Sequence, residues 1–308
     1  MSVIQRSRTF YGLALGEHVL VDAIRRGRVD ELAAFVNRTG ADFVLLGVER
    51  VSRTAPRPTA ALSPSVSAAA LIAATDDVGV FVTAVPHLDH PYNLARRLAS
   101  LDHTSRGRVG WLTGVEDRSA PGNLAREGVW IESGPSSAVT TDAIHASRTL
   151  WESWPADTIR GRPDDVRFAD SDRIVYADHH GIFDIAGPLN VPTPPQQKIP
   201  VAWWAQEGDD ILSAAEVSDI VVLDRRDAER HGRDVRDRAL LFVVDDPDAA
   251  EVDGHIATVT DIGAGFSAWP RPSRSSGYRQ RSLRATLRLP EPAPAPPHPR
   301  PVYPGRQN

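Results

Sequence analysis

The stretch from Val78 to Leu112 constrains the fold more than any other part of this chain. Val78-Gly79-Val80-Phe81-Val82-Thr83-Ala84 is a β-branched apolar run, long enough for a strand buried on both faces and too short for a helix. Pro91 then suits a first helical turn, where a missing N–H has no partner to lose. Leu94, Ala95, Leu98, Ala99 and Leu101 recur on one helical face, with Arg96 and Arg97 on the other. Ser105-Arg106-Gly107 ends that helix, and Arg108-Val109-Gly110-Trp111-Leu112 begins a strand after a very short connection. The helix must therefore pack back across a sheet, as a right-handed βαβ unit with parallel strands. In such a unit the residues past each strand's carboxyl end face one rim: Ala84 to Asp89 and Thr113 to Asp117. If the sheet closes into a barrel, that rim is where ligands are handled.

The same pattern runs on either side. Thr9 to Leu15 reads as the first strand, with Glu17-His18 just beyond it. Asp30 to Val36 has helical spacing and Gly40 stops it; Asp42 to Leu46 reads as the second strand, ending at Gly47-Val48-Glu49. Arg53 to Leu62 is loop, and Ser63-Pro64 opens an alanine-rich helix to Thr75. Three strand–helix steps in succession argue for a parallel α/β architecture. Glu116 to Pro135 reads as a long rim loop, Thr141 to Trp151 as a helix, and Asp164 to Pro195 as an excursion containing a small hairpin. Steps resume with strands at Pro200–Trp204, Asp219–Leu223, Arg238–Val244 and Ile256–Val259, and a helix over Asp209–Val217. Residues 1–289 are expected to form one domain, followed by a proline-rich tail, 290–308, that is extended or disordered.

Composition limits the partners. A chain of 308 residues, 41% hydrophobic, buries a sizeable core. A net charge of -5 gives no basic footprint for nucleic acid or for a membrane surface. The absence of cysteine removes thiolate catalysis and cysteine–zinc sites. No segment has the ~18 apolar residues of a membrane span, so a cytoplasmic protein acting on a small-molecule substrate is the default expectation.

Five stretches carry a resemblance: LSPSVSAAALIAATDDVGVFVTA, PYNLARRLASLDHTSRGRVGW, LWESW at Leu150–Trp154, DHHGIFDIAGPLNVPTPPQ at Asp178–Gln196, and the final SLRATLRLPEP. Together they are similar to the luciferase-like flavin monooxygenases, in the nitrilotriacetate and dibenzothiophene-sulfone branch. The resemblance implies a (β/α)₈ TIM-type barrel. It also implies reduced FMN, supplied by a separate flavin reductase, reacting with oxygen at the carboxyl rim to oxidise a small organic substrate. The stretch between Leu240 and Ile256 is abridged against that pattern, so the barrel is expected to be shortened or incomplete toward its C-terminal strands.

The resemblance also locates a site, and the chain departs from it there. Where the family has Asp after the second strand, this chain has Val48, then Glu49. Thr83-Ala84 is retained but continues Val85-Pro86. A Trp-Asn strand end reads Trp111-Leu112, and the family's His and Arg-Tyr before LWESW fall at Ser133, Ser136 and Ser137. A phosphate-binding turn at a helix N-terminus, which favours anions, reads Gln206-Glu207-Gly208-Asp209-Asp210, with three carboxylates around one glycine. The expected cofactor contacts are Glu49, Thr83, Trp111, Ser137 and Gly208, with His18 and His87 as candidate catalytic residues. Trp111 and Trp203-Trp204 can wall a pocket or fill it. His87-Leu88-Asp89-His90 has the residue types of a metal site but no distant partner, so no metal is expected. His179-His180 and Asp102-His103 read as loop and structural residues. No P-loop, GxGxxG or GxSxG motif is present. Two functions remain open: an FMN-dependent monooxygenase with weakened flavin binding, or a cofactor-less barrel serving as a non-catalytic partner or small-ligand binder, in a homo- or hetero-oligomer with a related barrel. Flavin-independent chemistry is a third, without a motif.

Overall fold

The computed structural model describes residues 8–57, 62–119, 134–160, 169–263, 281–293 and 300–303. Its strands are β1 (Phe10–Leu15), β2 (Phe43–Leu46), β3 (Gly79–Thr83), β4 (Val109–Thr113), a hairpin of β5 (His179–His180) and β6 (Asp184–Ile185), and β7 (Val201–Trp204), β8 (Ile220–Leu223), β9 (Leu240–Val244) and β10 (Gly254–Val259). The helices are α1 (Glu17–Arg25), α2 (Val29–Thr39), α3 (Pro64–Ala74), α4 (Pro91–Ser105), α5 (Ser137–Glu152), α6 (Ile211–Val217), α7 (Arg225–Arg236) and α8 (Leu283–Thr286). Eight parallel strands close a ring in the order β1-β2-β3-β4-β7-β8-β9-β10, with Phe10 opposite Gly254 at the seam. The (β/α)₈ ring is closed, and the expectation of incomplete C-terminal strands is corrected. The abridged stretch after β9 lacks an outer helix, not a strand, because Gly254 pairs with Phe242 directly across the short connection.

Alternation along each strand explains the two apolar layers. Val80, Val82, Val109, Trp111, Val201 and Trp203 face outward beneath the helices. Phe43, Phe81, Leu112, Ala202, Trp204 and Phe242 face the lumen. Phe43 stacks on Phe242, centroids 5.4 Å apart, and meets Phe81 edge-on at 5.3 Å. These rings need neighbouring strands without side chains: a Cβ on Gly12 would lie 2.2 Å from Phe43, and one on Gly110 2.3 Å from Phe81. The lumen is thus a packed core rather than a pore.

The N-terminal end of the barrel is stoppered by α8 and its continuation. Leu283, Leu287 and Leu289 join the lumen cluster, and Leu283 N–H donates to the Gly107 carbonyl at 2.7 Å. Behind them the buried Asp102 carboxylate accepts from Val109 N, Gln196 N and Gln196 Nε2, while the Gln196 side-chain oxygen accepts from Arg284 N. Buried Arg108 donates to the carbonyls of Ser105, Val78 and Ile72 and to the Thr75 hydroxyl. Farther out, Arg300 lies 3.9 Å over the Tyr176 ring and pairs with both oxygens of Asp178, so this part of the tail rests on the excursion.

Three helices have no counterpart in the sequence reading: α1, α8 and α7. α7, RRDAERHGRDVR, buries only Asp227, Gly232 and Val235, too few apolar residues to register as a periodic face; Asp224 caps it by accepting from Asp227 N–H at 2.8 Å.

Candidate functional site

The carboxyl ends of the strands form a mouth built by loops that turn sharply and lock onto one another. Gly47, at φ 79°, turns the chain out of β2 into a short 3₁₀ segment, Val48–Arg50. That turn drops Val48 and Val51 into the top of the lumen beside Val85, Leu112 and Trp204, all buried. Arg50 holds the fully buried Asp117, donating from Nε at 2.8 Å and again from a terminal nitrogen. Arg118 donates to the carbonyls of Glu49, Ser52 and Ala55, and its backbone N–H to the Arg50 carbonyl. The loops after β2 and β4 are therefore one body, and their cations are engaged internally.

Described residues of the mouth line a cavity of about 250 Å³. His18, Glu49, Ser52, Trp204, Asp245 and Thr258 are among its lining residues, with apolar wall from Ala14, Val48 and Pro56. Glu49 Oε1 accepts from the Glu17 N–H at 2.6 Å, and the buried Oε2 has no partner among the described residues. Burial, and then the Glu49 charge, raise the Glu17 pKa above the ordinary carboxylate value. Asp245 holds Thr258 through N–H and hydroxyl, each at 2.7 Å. His18 Nε2 lies 2.7 Å from the Thr260 carbonyl.

The sequence-predicted residues divide. His18 and Glu49 meet in the cavity wall. Ser137 and Gly208 share a second place: the Ser137 hydroxyl accepts from Asp210 N–H at 3.2 Å. Three lie away from the cavity wall. Trp111 lies in the outer layer, fully buried, with its indole N–H donating to the Ala84 carbonyl, because its strand parity points it away from the lumen. His87 is fully buried outside the cavity wall, with neither ring nitrogen partnered among the described residues, and burial lowers its pKa. Thr83 shares the lumen-facing parity of Phe81 but is buried below Gly47, its hydroxyl likewise unpartnered and outside the cavity wall. Ser133 and most of the rim loop at 116–135 lie outside the described residues. Asp245 and Thr258 were missed; their positions at the ends of β9 and β10 are the signal that would have found them.

The Gln206–Asp210 turn is where the resemblance puts an FMN phosphate, and its groups suit one poorly. Gln206 N donates to Asp209 Oδ2, Asp209 N to the Gln206 carbonyl, and Asp210 N to Ser137. Arg53 donates to the Glu207 carbonyl at 2.7 Å and lies 3.9 Å from Asp209. The Asp210 carboxylate accepts from Ser213 N–H and hydroxyl, so the first turn of α6 already holds an anion of its own. Those two bonds, the hydroxyl first, lower the Asp210 pKa and keep it charged. Gly208, at φ 95°, leaves open space, but the amides of Gln206, Asp209 and Asp210 are engaged and three carboxylates flank it.

A family model described as luciferase-like monooxygenase matches residues 10–274, the whole ring of strands just described. The chain belongs to the luciferase-like monooxygenase family. Among its relatives, nitrilotriacetate monooxygenase component A of Aminobacter aminovorans is 35% identical over 149 residues, 46% of this chain and 32% of that one. A subunit of the pristinamycin IIA synthase of Streptomyces pristinaespiralis is 34% identical over 157 residues, 51% of this chain and 49% of its own length. The chain thus spans half or less of these luciferase-like relatives. Among solved structures, a riboflavin lyase holding modified FMN and riboflavin superposes with a TM-score of 0.63 at 22% identity, over 77% of this chain and 62% of that one; this likeness concerns the fold. No helix among the described residues is long and apolar enough to cross a membrane, and no group of three or more His, Cys, Asp or Glu among them is placed to hold a metal ion.

Proposed function

We propose that this luciferase-like chain oxidises a small organic molecule in the mouth cavity, with reduced flavin reaching it from a separate reductase as a loosely held co-substrate. The observation that carries this reading is the cavity at the carboxyl ends of a complete barrel, the end where barrel enzymes place their chemistry. A reduced flavin, when present, supplies the electrons that activate oxygen. The chain's own residues supply position: His18 and Glu49 orient the substrate, and the apolar plug of Val48, Val51, Leu112 and Trp204 excludes water from below. Because the Gln206–Asp210 turn does not suit a phosphate, FMN gains nothing over riboflavin.

Anaerobic titration with FMN, reduced FMN and riboflavin tests this directly. Weak and nearly equal binding of FMN and riboflavin is expected. FMN binding a hundredfold tighter than riboflavin would show a functional phosphate site, and no binding of any flavin at high micromolar concentration would remove the oxidative reading.

The self-filled turn motivates a second reading, a cofactor-less barrel acting as a non-catalytic partner of a related barrel or as a small-ligand binder. Relatives include one named as part of a synthase of more than one chain. Turnover by the isolated chain excludes this reading. A tight complex with an intact homologue, whose activity responds only to that partner's mutations, supports it.

A further inference from the structure

We propose that the mouth cavity selects a small cationic molecule, an ammonium group held at Glu49 and Asp245 with its hydrocarbon arm against Trp204; this rests on the reading that the mouth is the substrate site.

Charge, space and unmet hydrogen bonding converge on that ligand. Glu49 and Asp245 are the acidic residues in the cavity wall, and no Lys or Arg is among its described lining residues. Arg50 is engaged with Asp117, Arg118 with three carbonyls and Arg53 with the Glu207 carbonyl, and the exposed Arg57 beside Pro56 is outside the lining. Glu17, bonded through its N–H to Glu49, adds a third carboxyl behind the wall. An anionic substrate would meet the two wall carboxylates, whereas an ammonium would offset them. Glu49 Oε2 is buried without a donor among the described residues, a state that is costly unless something answers it. An ammonium brings three donors and no acceptor. The volume of about 250 Å³ has room for a small ammonium compound. Ala14, Leu15, Val48, Ala55 and Pro56 supply wall for a short alkyl or aryl arm, and Trp204 adds aromatic surface, which also attracts cations.

Isothermal titration of the full chain at pH 7 with benzylammonium, benzyl alcohol and benzoate tests the proposal, since the three probes share a ring and differ in charge. Benzylammonium is expected to bind at least tenfold tighter than the alcohol, and benzoate not measurably. Glu49→Gln, which keeps an acceptor for the Glu17 N–H, should weaken benzylammonium at least tenfold, Asp245→Asn severalfold, and Glu229→Gln, distant on α7, not at all. Should Glu49→Gln misfold, Asp245→Asn and a fall of benzylammonium affinity with rising salt decide the matter. Equal binding of the three probes, binding of none, or indifference to both cavity substitutions overturns the proposal. Oxygen consumption with reduced flavin separates it from the functional reading. Benzylammonium binding without turnover would leave the cation site standing and remove the oxidation; turnover of benzyl alcohol with the amine excluded would do the reverse.

Discussion

The two ends of this barrel treat buried polar groups in opposite ways. At the N-terminal end, Asp102, Arg108, Gln196 and Arg284 are buried and paired with backbone or with one another, and the buried atoms left without partners there among the described residues, Arg148 Nε and Arg236 Nε, belong to side chains that face Asp219 and Asp253. At the carboxyl end, Thr83 Oγ1, Glu49 Oε2 and both nitrogens of His87 are buried without partners among the described residues. A satisfied network specifies and holds a structure, whereas an unsatisfied group destabilises the free protein and is retained where something else is gained. The lower end therefore reads as built for stability and the upper for binding, and the contrast can be broken by substitution.

The largest effect is expected at the stopper. Leu283 is buried against the lumen rings, and Leu283→Ala should cost about 2–5 kcal/mol by opening a cavity under them. Urea denaturation measures this, with probe binding at the mouth unchanged where the variant is still folded. A loss below about 1 kcal/mol would mean that α8 is an accessory and not part of the core.

The second break is by pH. Burial pushes the Asp102 carboxyl up to about 6 from an ordinary 3.8, against the pull of its Gln196 and Val109 hydrogen bonds. The folded state then binds this proton more tightly than the unfolded chain, so its contribution is full below pH 3.8 and lost as pH rises through 6. The difference of about two pK units is worth on the order of 3 kcal/mol. The stability of the native chain minus that of Asp102→Asn should accordingly fall between pH 4 and pH 7; a flat difference would show that Asp102 does not titrate there.

The same contrast explains what the sequence made legible. Strands β1 to β4 and the helices α2 to α4 followed from apolar periods, which report burial against neighbours, whereas α1 was not placed. α7 escaped because its face is made of charged stems around Gly232 and Val235. The mouth was legible only as a set of positions. Residues such as His18 and Glu49 could be placed after strands, but parity alone decided that Trp111 turns outward and Trp204 inward. The partnering of Arg50 with Asp117 joins loops 67 residues apart, a distance no local pattern reports.

His87 gives a smaller and opposite effect. Removing two unpartnered ring nitrogens should stabilise the free protein, so His87→Leu is expected to raise stability by about 1–2 kcal/mol. A loss of stability instead would mean that the imidazole has a partner in solution and that the two ends differ less than their hydrogen bonds indicate.

The smallest effect sharpens the contrast at its most specific point. Asp210 caps α6 by accepting from Ser213, and its carboxylate sits where a phosphate would otherwise receive that N–H. Asp210→Ala should lose the cap, at about 1 kcal/mol, while freeing the amide and removing one negative charge from the turn. Flavin titration should then separate FMN from riboflavin, with FMN gaining severalfold and riboflavin nothing. If neither gains, Glu207 and Asp209 alone suffice to repel a phosphate and the turn was rebuilt at more than one residue. If both gain equally, the benefit comes from loosening the mouth rather than from the phosphate, and Asp210 belongs with the structural groups of the lower end.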